Sequence, residues 1–349
     1  MTIGFGIVGC GMISRFHARA IQEIPEARLI GCASSRRESA EKFGSEFQCT
    51  AFQSIEELVA RGDVQIVSIC TPSGAHLEPA LLAAKSGKHL VIEKPLEITL
   101  ERCDQIIEAC NAAGVKLATI FPSRFHECWQ ELKRAIDGRR FGRIALGSAY
   151  VKWFRTQQYY DQGNWRGTWD LDGGGALMNQ AIHTIDLLQW LMGPVESVSA
   201  LTATVAHERI EVEDVAVASL KFRSGALGSI EATTASYPGM LKKIEIHGDA
   251  GSAAIEEEDI RHWHFANPLP EDDVLRQRFS GVTSSGGGAS NPAAIGHAAH
   301  RKLFLAFINS LRDGSPSMID GSEGRKSVEI IRAIYDSART GRRVELATR

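Results

Sequence analysis

A lysine between an acid and a proline is the first residue in this chain that could carry chemistry. Glu93-Lys94-Pro95 follows the apolar run Leu90-Val91-Ile92, which is typical of a strand buried on both faces. Pro95 restricts the preceding lysine to extended backbone conformations, so the lysine is held at the carboxyl edge of the strand. Ligands bind at that edge of open parallel sheets. The pattern therefore predicts that Lys94 contacts a bound molecule, with a solvated surface charge as the alternative.

A second set of polar side chains follows a run of glycines. Gly173-Gly174-Gly175 opens a predicted helix that ends near Leu191, and Asn179, His183 and Asp186 occupy positions i, i+4 and i+7 within it. This spacing predicts that the three side chains share one helical face. A buried polar cluster between helices is the alternative, but three aligned polar groups behind a glycine run favour a functional role. A neutral histidine is suited to accept a proton near physiological pH.

A glycine-rich turn near the start of the chain predicts a dinucleotide site. Gly9 and Gly11 follow the strand-like segment 3–8 and precede a predicted helix, as in the fingerprint G-x-G-x-x-G. Gly9 permits the tight turn, and Gly11 allows the backbone to approach a pyrophosphate that rests on the helix N-terminus. Ser14 replaces the third glycine and is small enough for helix–strand packing.

The end of the second predicted strand bears on the choice of cofactor. An NAD enzyme usually places an acid there to hold the ribose 2′-hydroxyl, whereas this chain has Ser34, Ser35 and Arg36. Hydroxyl and guanidinium groups suit a 2′-phosphate, so NADP is the predicted cofactor and NAD the alternative. A helix N-cap followed by solvated arginines is the structural alternative. Further cofactor contacts are predicted at the start of the first helix and after the later strands: Met12, Ile13, Thr71, Pro72, His76, Glu93 and Lys94.

Two domains are expected from the order of the elements. Alternating strands and helices predict a doubly wound parallel α/β sheet, a Rossmann domain, over residues 1–121. Strand-like runs with few helices between them predict an α+β domain with a mainly antiparallel open sheet over 122–349, used for substrate binding and oligomerisation. Polar and aromatic residues of this second domain are candidates for binding a polyhydroxylated substrate: Arg124, Lys152, Tyr160, Trp165, Arg166, Trp169 and Asp170.

Composition argues against several classes of protein. The 349 residues, 44% of them hydrophobic, are enough for two globular domains, and a net charge of -3 provides no basic surface for nucleic acid. No apolar run approaches the ~18 residues that a membrane span needs. The strand-like start leaves no room for a secretory signal, and seven cysteines without C-x-x-C spacing are typical of a reducing cytoplasm. No metal site is predicted, because strand alternation explains His262-Trp263-His264 more simply than a metal.

Three motifs together resemble the Gfo/Idh/MocA oxidoreductases, which include glucose–fructose oxidoreductase and inositol and related sugar dehydrogenases. The motifs are Gly9-Cys10-Gly11, Glu93-Lys94-Pro95, and Gly173-Gly174-Gly175 with the helical histidine. The resemblance implies that Lys94 and His183 carry catalysis. It also implies hydride transfer between a nicotinamide and a carbinol or ketone carbon of a sugar, cyclitol or sugar derivative.

The resemblance leaves some points open. Many inositol dehydrogenases have an aspartate where this chain has Asn179, so we expect Asn179 to position substrate or histidine without adding charge. Related enzymes are commonly homodimers or homotetramers, and an open sheet needs a cover for its second face. A non-catalytic nucleotide-binding regulator and a redox-neutral enzyme with tightly bound NAD, such as an NAD-dependent glycosidase, are the alternatives. Retention of both Lys94 and His183 argues against the regulator.

Overall fold

The computed structural model describes residues 2–163, 165–283, 288–289 and 296–347. The chain divides into two compact units, Met1–Pro122 with Gly296–Val328, and Ser123–Ile295 with Glu329–Arg349. The expected boundary at 121/122 lies one residue from the observed one, but the segment Gly296–Val328 belongs to the first unit and not to the second as expected. In the described residues, no helix is both long and apolar enough to cross a membrane.

The first unit contains a parallel sheet of six strands in the order β3-β2-β1-β4-β5-β6. Its strands are β1 Ile3–Val8, β2 Ala27–Ala33, β3 Thr50–Ala51, β4 Ile66–Ile69, β5 His89–Ile92 and β6 Leu117–Thr119. Its helices are α1 Met12–Gln22, α2 Arg37–Phe47, α3 Ile55–Val59, α4 Leu77–Lys85, α5 Leu100–Ala113 and α10 Ala298–Asp313. The order reverses next to β1, which is where doubly wound sheets bind dinucleotides. The predicted Rossmann architecture is confirmed.

Helix α10 joins this unit because its apolar face completes the core. Phe304 and Phe307 are buried, and the ring of Phe304 lies 5.7 Å from that of Phe5 in β1. Periodicity along the chain shows that such a helix needs a partner, but it does not show which sheet provides it.

The second unit contains an eight-stranded sheet in the order β13-β12-β11-β7-β10-β9-β8-β14. The strands are β7 Ile144–Lys152, β8 Val195–Ala203, β9 Val215–Phe222, β10 Leu227–Thr233, β11 Lys243–Gly248, β12 Gly251–Glu256, β13 Asp259–Phe265 and β14 Val344–Glu345. The helices are α6 Glu127–Asp137, α7 Gln157–Asp161, α8 Ile182–Met192, α9 Pro270–Arg278 and α11 Gly321–Thr340, whose first residues belong to the first unit. Strands β7 and β10 are parallel and the other neighbours antiparallel, so the mainly antiparallel sheet is confirmed.

The two faces of this sheet differ. Helix α8 packs on one face, where a Cβ at Gly147 would lie 2.6 Å from the sulfur of Met192. Side chains of the opposite face alternate with buried ones along the strands, as expected for a half-covered sheet. That open face carries four exposed apolar side chains on adjacent strands: Leu146, Leu201, Val217 and Leu227.

Candidate active site

The turn after β1 has the geometry that a bound pyrophosphate requires. Gly9 has a φ of +92°, and a Cβ there would lie 2.6 Å from the carbonyl oxygen of Cys70, so only glycine fits. A Cβ at Gly11 would meet no heavy atom within 4 Å. Helix α1 begins at the next residue, Met12, which is 45% exposed. Open space beside a glycine at a helix N-terminus fits the phosphates of a dinucleotide.

The predicted ribose-binding residues lie between β2 and α2. Ser34 is half-buried, and Ser35 and Arg36 are exposed. Arg37 forms an ion pair with Glu41 at 2.7 Å, whereas in the described part of the chain no carboxylate pairs with Arg36. The guanidinium of Arg36 is therefore accessible to an anionic group at this strand end.

His76 connects two loops at the carboxyl edge of the sheet. Its Nε2 lies 3.1 Å from the oxygen of Thr71, which with Pro72 follows β4, and its Nδ1 lies 2.9 Å from the oxygen of Pro95. The ring is fully buried, and burial lowers its pKa. The side chain holds the Thr71-Pro72 loop against the loop that carries Lys94, and its direct contact with the cofactor stays a prediction.

Glu93 holds the backbone of Lys94, the catalytic candidate, by a hydrogen bond. One carboxylate oxygen lies 2.8 Å from Nε2 of His17, and the other accepts the backbone N–H of Lys94 at 3.1 Å. Nδ1 of His17 lies 2.7 Å from the hydroxyl of Ser68. Burial opposes both charges, but Cys70 and Glu93 raise the pKa of His17 to about 10, and His17 lowers the pKa of Glu93 to about 2. Glu93 is 5% exposed and positions the lysine, and its contact with the cofactor stays a prediction.

Two groups of histidines lie close enough together to be considered as metal ligands. Ligand atoms of His17, Glu93 and His300 lie within 4.8 Å of one another, and within this group His17 and Glu93 form an ion pair at 2.8 Å. His262 and His264 are exposed on β13 with ring centroids 4.5 Å apart, and Trp263 between them is buried. This is the alternation that the sequence predicts.

The helix of the second unit begins differently from the prediction. Residues Ala176–Ala181 form a π-helical turn that leads into α8, so the α-helical spacing assumed for Asn179 and His183 does not apply across the junction. The side-chain nitrogen of Asn179 donates to Asp172 at 2.5 Å. Irregular helical turns of this type are frequent at functional sites.

Asp186 and Arg124 form a buried bidentate ion pair. Nε and Nη2 of Arg124 donate to the two carboxylate oxygens of Asp186 at 2.8 and 2.6 Å. Arg124 is 1% exposed, and its contact with substrate stays a prediction. The pair fastens α8 to the segment before α6.

The glycine run is enclosed by two residues that the sequence analysis missed. The carboxylate of Glu213 accepts the N–H groups of Gly175 and Leu177 at 2.9 and 2.8 Å and the hydroxyl of Tyr335 at 3.0 Å. Burial raises the pKa of Glu213 to about 7 despite these donors. A Cβ at Gly175 would lie 1.8 Å from the oxygen of Glu213, and one at Gly174 would lie 2.0 Å from the hydroxyl of Tyr335. No local signal distinguishes this buried acid from a surface one.

Two other residues predicted to bind substrate, Lys152 and Tyr160, have partners within the second unit, and their contact with substrate stays a prediction. Lys152 lies on the open sheet face, opposite α8, and pairs with Glu231 at 2.7 Å. Tyr160 is 5% exposed and its hydroxyl lies 2.9 Å from that of Thr234.

The loop before the glycine run remains a candidate binding segment. Trp165 and Arg166 are half-buried, and the Arg166 guanidinium lies 4.9 Å from the Trp165 ring centroid. Trp169 is 42% exposed and its ring meets that of Tyr335 edge-on at 5.1 Å, while Asp170 is exposed. Their contact with substrate stays a prediction.

The chain is similar to known oxidoreductases both in sequence and in structure. Residues 3–121 match the oxidoreductase family with an NAD-binding Rossmann fold, and residues 129–254 match the GFO/IDH/MocA C-terminal domain. The WlbA dehydrogenase of Bordetella pertussis, solved with NADH and UDP-GlcNAcA, is 38% identical over 100% of both chains with a TM-score of 0.89. That of Chromobacterium violaceum, with the same ligands, is 36% identical over 99% and 96% of the chains, TM-score 0.87. Myo-inositol 2-dehydrogenase of Thermotoga maritima is 28% identical over 98% of both proteins.

Proposed function

Because the chain belongs to the Gfo/Idh/MocA oxidoreductase family, in which it is a nicotinamide-dependent dehydrogenase of sugar-type CH–OH groups, we propose that its substrate is a nucleotide-linked acidic amino sugar. One observation carries the substrate class. Identity to two dehydrogenases solved with NADH and UDP-GlcNAcA is 38% and 36% over nearly the whole chain, against 28% for inositol 2-dehydrogenases. A steady-state comparison of UDP-GlcNAcA with myo-inositol tests it, and oxidation of inositol alone would contradict it.

The proposed mechanism divides the work between the cofactor and the protein. A nicotinamide dinucleotide whose phosphates rest on the Gly9 turn would supply the hydride chemistry. Lys94, fixed by Glu93 and Pro95, donates a hydrogen bond to the reacting oxygen and stabilises developing negative charge. His183, at the start of α8, accepts the hydroxyl proton in the oxidation direction. Asn179, fastened to Asp172, orients substrate or histidine and adds no charge.

Alanine at either proposed catalytic position tests this division. Lys94→Ala or His183→Ala should lower kcat about 10²–10⁴-fold and leave the Kd of the dinucleotide nearly unchanged, because each removes proton handling. The double variant should lose much less than the product of the single losses, since groups acting on one oxygen are not additive. Asn179→Asp should raise the pKa of His183 and shift the acid limb of the pH–rate profile upward. Normal turnover of His183→Ala would contradict the assignment.

The choice between NADP and NAD is a separate proposal. Ser34, Ser35 and an unneutralised Arg36 favour the 2′-phosphate of NADP, whereas the two WlbA structures hold NADH, which favours NAD. We retain the preference for NADP(H), because residues 34–37, directly after β2, include no acid. Kinetics with both cofactors test it. A kcat/KM that favours NAD(H) tenfold, about 1.4 kcal/mol, would refute it.

A homo-oligomer built on the open sheet face is also proposed. Two pairs of exposed apolar side chains, Leu146 with Leu227 and Leu201 with Val217, lie on four adjacent strands of this face, and a second copy of the chain would cover them. Light scattering should therefore give the mass of a dimer or tetramer, and Val217→Glu should shift the measured mass toward that of the monomer. A species of 38.1 kDa at micromolar concentration would contradict this proposal.

A further inference from the structure

Two arginines of the second unit carry positive charge without a carboxylate partner. Arg155 is 3% exposed, and its guanidinium donates only to neutral oxygens at 2.8–2.9 Å: those of Phe154, Gly288, Ala289 and the side chain of Gln180. The half-buried Arg166 donates to the oxygen of Gln162 at 2.6 Å. Across the described residues, neither forms an ion pair, and the Nε of each is buried without a hydrogen-bond acceptor.

The two charges lie beside the same aromatic ring. The guanidinium carbons of Arg155 and Arg166 lie 5.5 and 4.8 Å from the centroid of Tyr159. The hydroxyl of Tyr159 accepts a hydrogen bond at 3.1 Å from Gln180, whose side chain also donates to Asn179 at 3.2 Å. Arg155 is thus connected through Gln180 to Asn179, the residue proposed to orient the substrate, whereas Arg166, among the described residues, reaches this network only through the ring of Tyr159.

Burial makes this arrangement costly for the protein alone. Carbonyl oxygens satisfy the N–H donors of Arg155, but they do not neutralise its charge, and burial lowers its pKa. Most buried or half-buried arginines of this chain do have carboxylates, as Arg124 has Asp186 and Arg140 has Asp272. An anion from outside the protein would supply the missing partner.

We propose that Arg155 and Arg166 form a subsite for an anionic group of the substrate, the sugar carboxylate or the diphosphate of a nucleotide sugar. This inference rests on the proposed substrate class. Planar guanidinium groups bind both kinds of oxyanion in bidentate geometry. Arg166, being half-buried, contacts the anion directly, and Arg155 adds charge behind it.

Binding by calorimetry in the presence of NADH tests the subsite without turnover. The probes are UDP-GlcNAcA, UDP-GlcNAc and UDP. Arg166→Gln should weaken binding of the bound anion about 10–100-fold, and Arg166→Lys should recover part of the loss, because it keeps the charge. Arg209→Gln is the control, since Arg209 is exposed and paired with Asp161 at 2.8 Å.

The probes separate the two sources of the anion. A loss confined to UDP-GlcNAcA supports the sugar carboxylate, and an equal loss for all three probes supports the diphosphate. Unchanged affinity of Arg166→Gln and Arg155→Gln for every probe would overturn the subsite, although turnover of UDP-GlcNAcA would still support the proposed function. Conversely, if wild type binds these anions through the arginines but turns none over, the proposed substrate fails and the subsite stands.

Discussion

Removing His17 should destabilise the first unit by about 3–5 kcal/mol. The variant His17→Gln leaves the Glu93 carboxylate buried, with 7% of its side chain exposed and without its charged partner. The lowering of the pKa of Glu93 from 4.5 to about 2 corresponds to about 3 kcal/mol at 1.36 kcal/mol per pH unit. Breaking one side of a buried ion pair costs about 3–5 kcal/mol, which agrees with this magnitude.

The double variant His17→Gln/Glu93→Gln is the matched control. It removes both charges of this pair, so its unfolding free energy should fall by much less than the sum of the losses in the two single variants. The pair stabilises most between pH 4.5 and 6.5. Below that range the contribution of Glu93 is lost as pH falls toward 2, and above it the contribution of His17 is lost as pH rises toward 10.

The measurement must report on the correct unit. All six tryptophans lie between residues 129 and 263, in the second unit, so tryptophan fluorescence does not follow this change directly. Hydrogen–deuterium exchange of peptides from α1 and β5, together with urea unfolding by circular dichroism, does. Two results would refute a buried ion pair next to Lys94. One is a decrease in unfolding free energy of less than about 1 kcal/mol for His17→Gln, and the other is a decrease for the double variant equal to the sum of those for the two single variants.

Three further predictions concern backbone space and a buried acid. Gly11→Ala should leave Tm unchanged but weaken NADH binding at least tenfold by titration, because its Cβ meets only the space assigned to phosphate; equal affinity would contradict that assignment. Gly175→Ala should destabilise by more than about 3 kcal/mol in urea unfolding, since its Cβ would lie 1.8 Å from the oxygen of Glu213, and a stable variant would be incompatible with this packing. Because its pKa is raised, Glu213 contributes most to the unfolding free energy below pH 4.5, and this contribution falls as pH rises through about 7. Glu213→Gln should therefore make the unfolding free energy less dependent on pH over that range. An unchanged pH dependence would argue against this role.

Local sequence determined the elements and the main motifs. The alternation of strands and helices predicted the Rossmann sheet, and the switch to successive strands predicted the second sheet, because periodicity and turn residues act over a few positions. Gly9 was assigned correctly to a tight turn, since its positive φ depends on backbone geometry next to β1, and the approach of a pyrophosphate to Gly11 stays a prediction. The position of Lys94 after β5 likewise followed from the strand and from Pro95.

Only the tertiary structure decided which polar residues face inward and what they meet. Arg124, His76 and Glu93 are residue types that often bind ligands, yet each is buried against a partner distant in sequence. Arg124 contacts Asp186, His76 contacts the oxygen of Pro95, and Glu93 contacts His17. The sequence did not predict a role for Arg155, because its separation from carboxylates depends on the packing of segments distant in sequence. A sequence shows that a side chain can carry charge. Whether that charge is neutralised, buried or left for a ligand depends on distances between segments, and only the folded chain sets those distances.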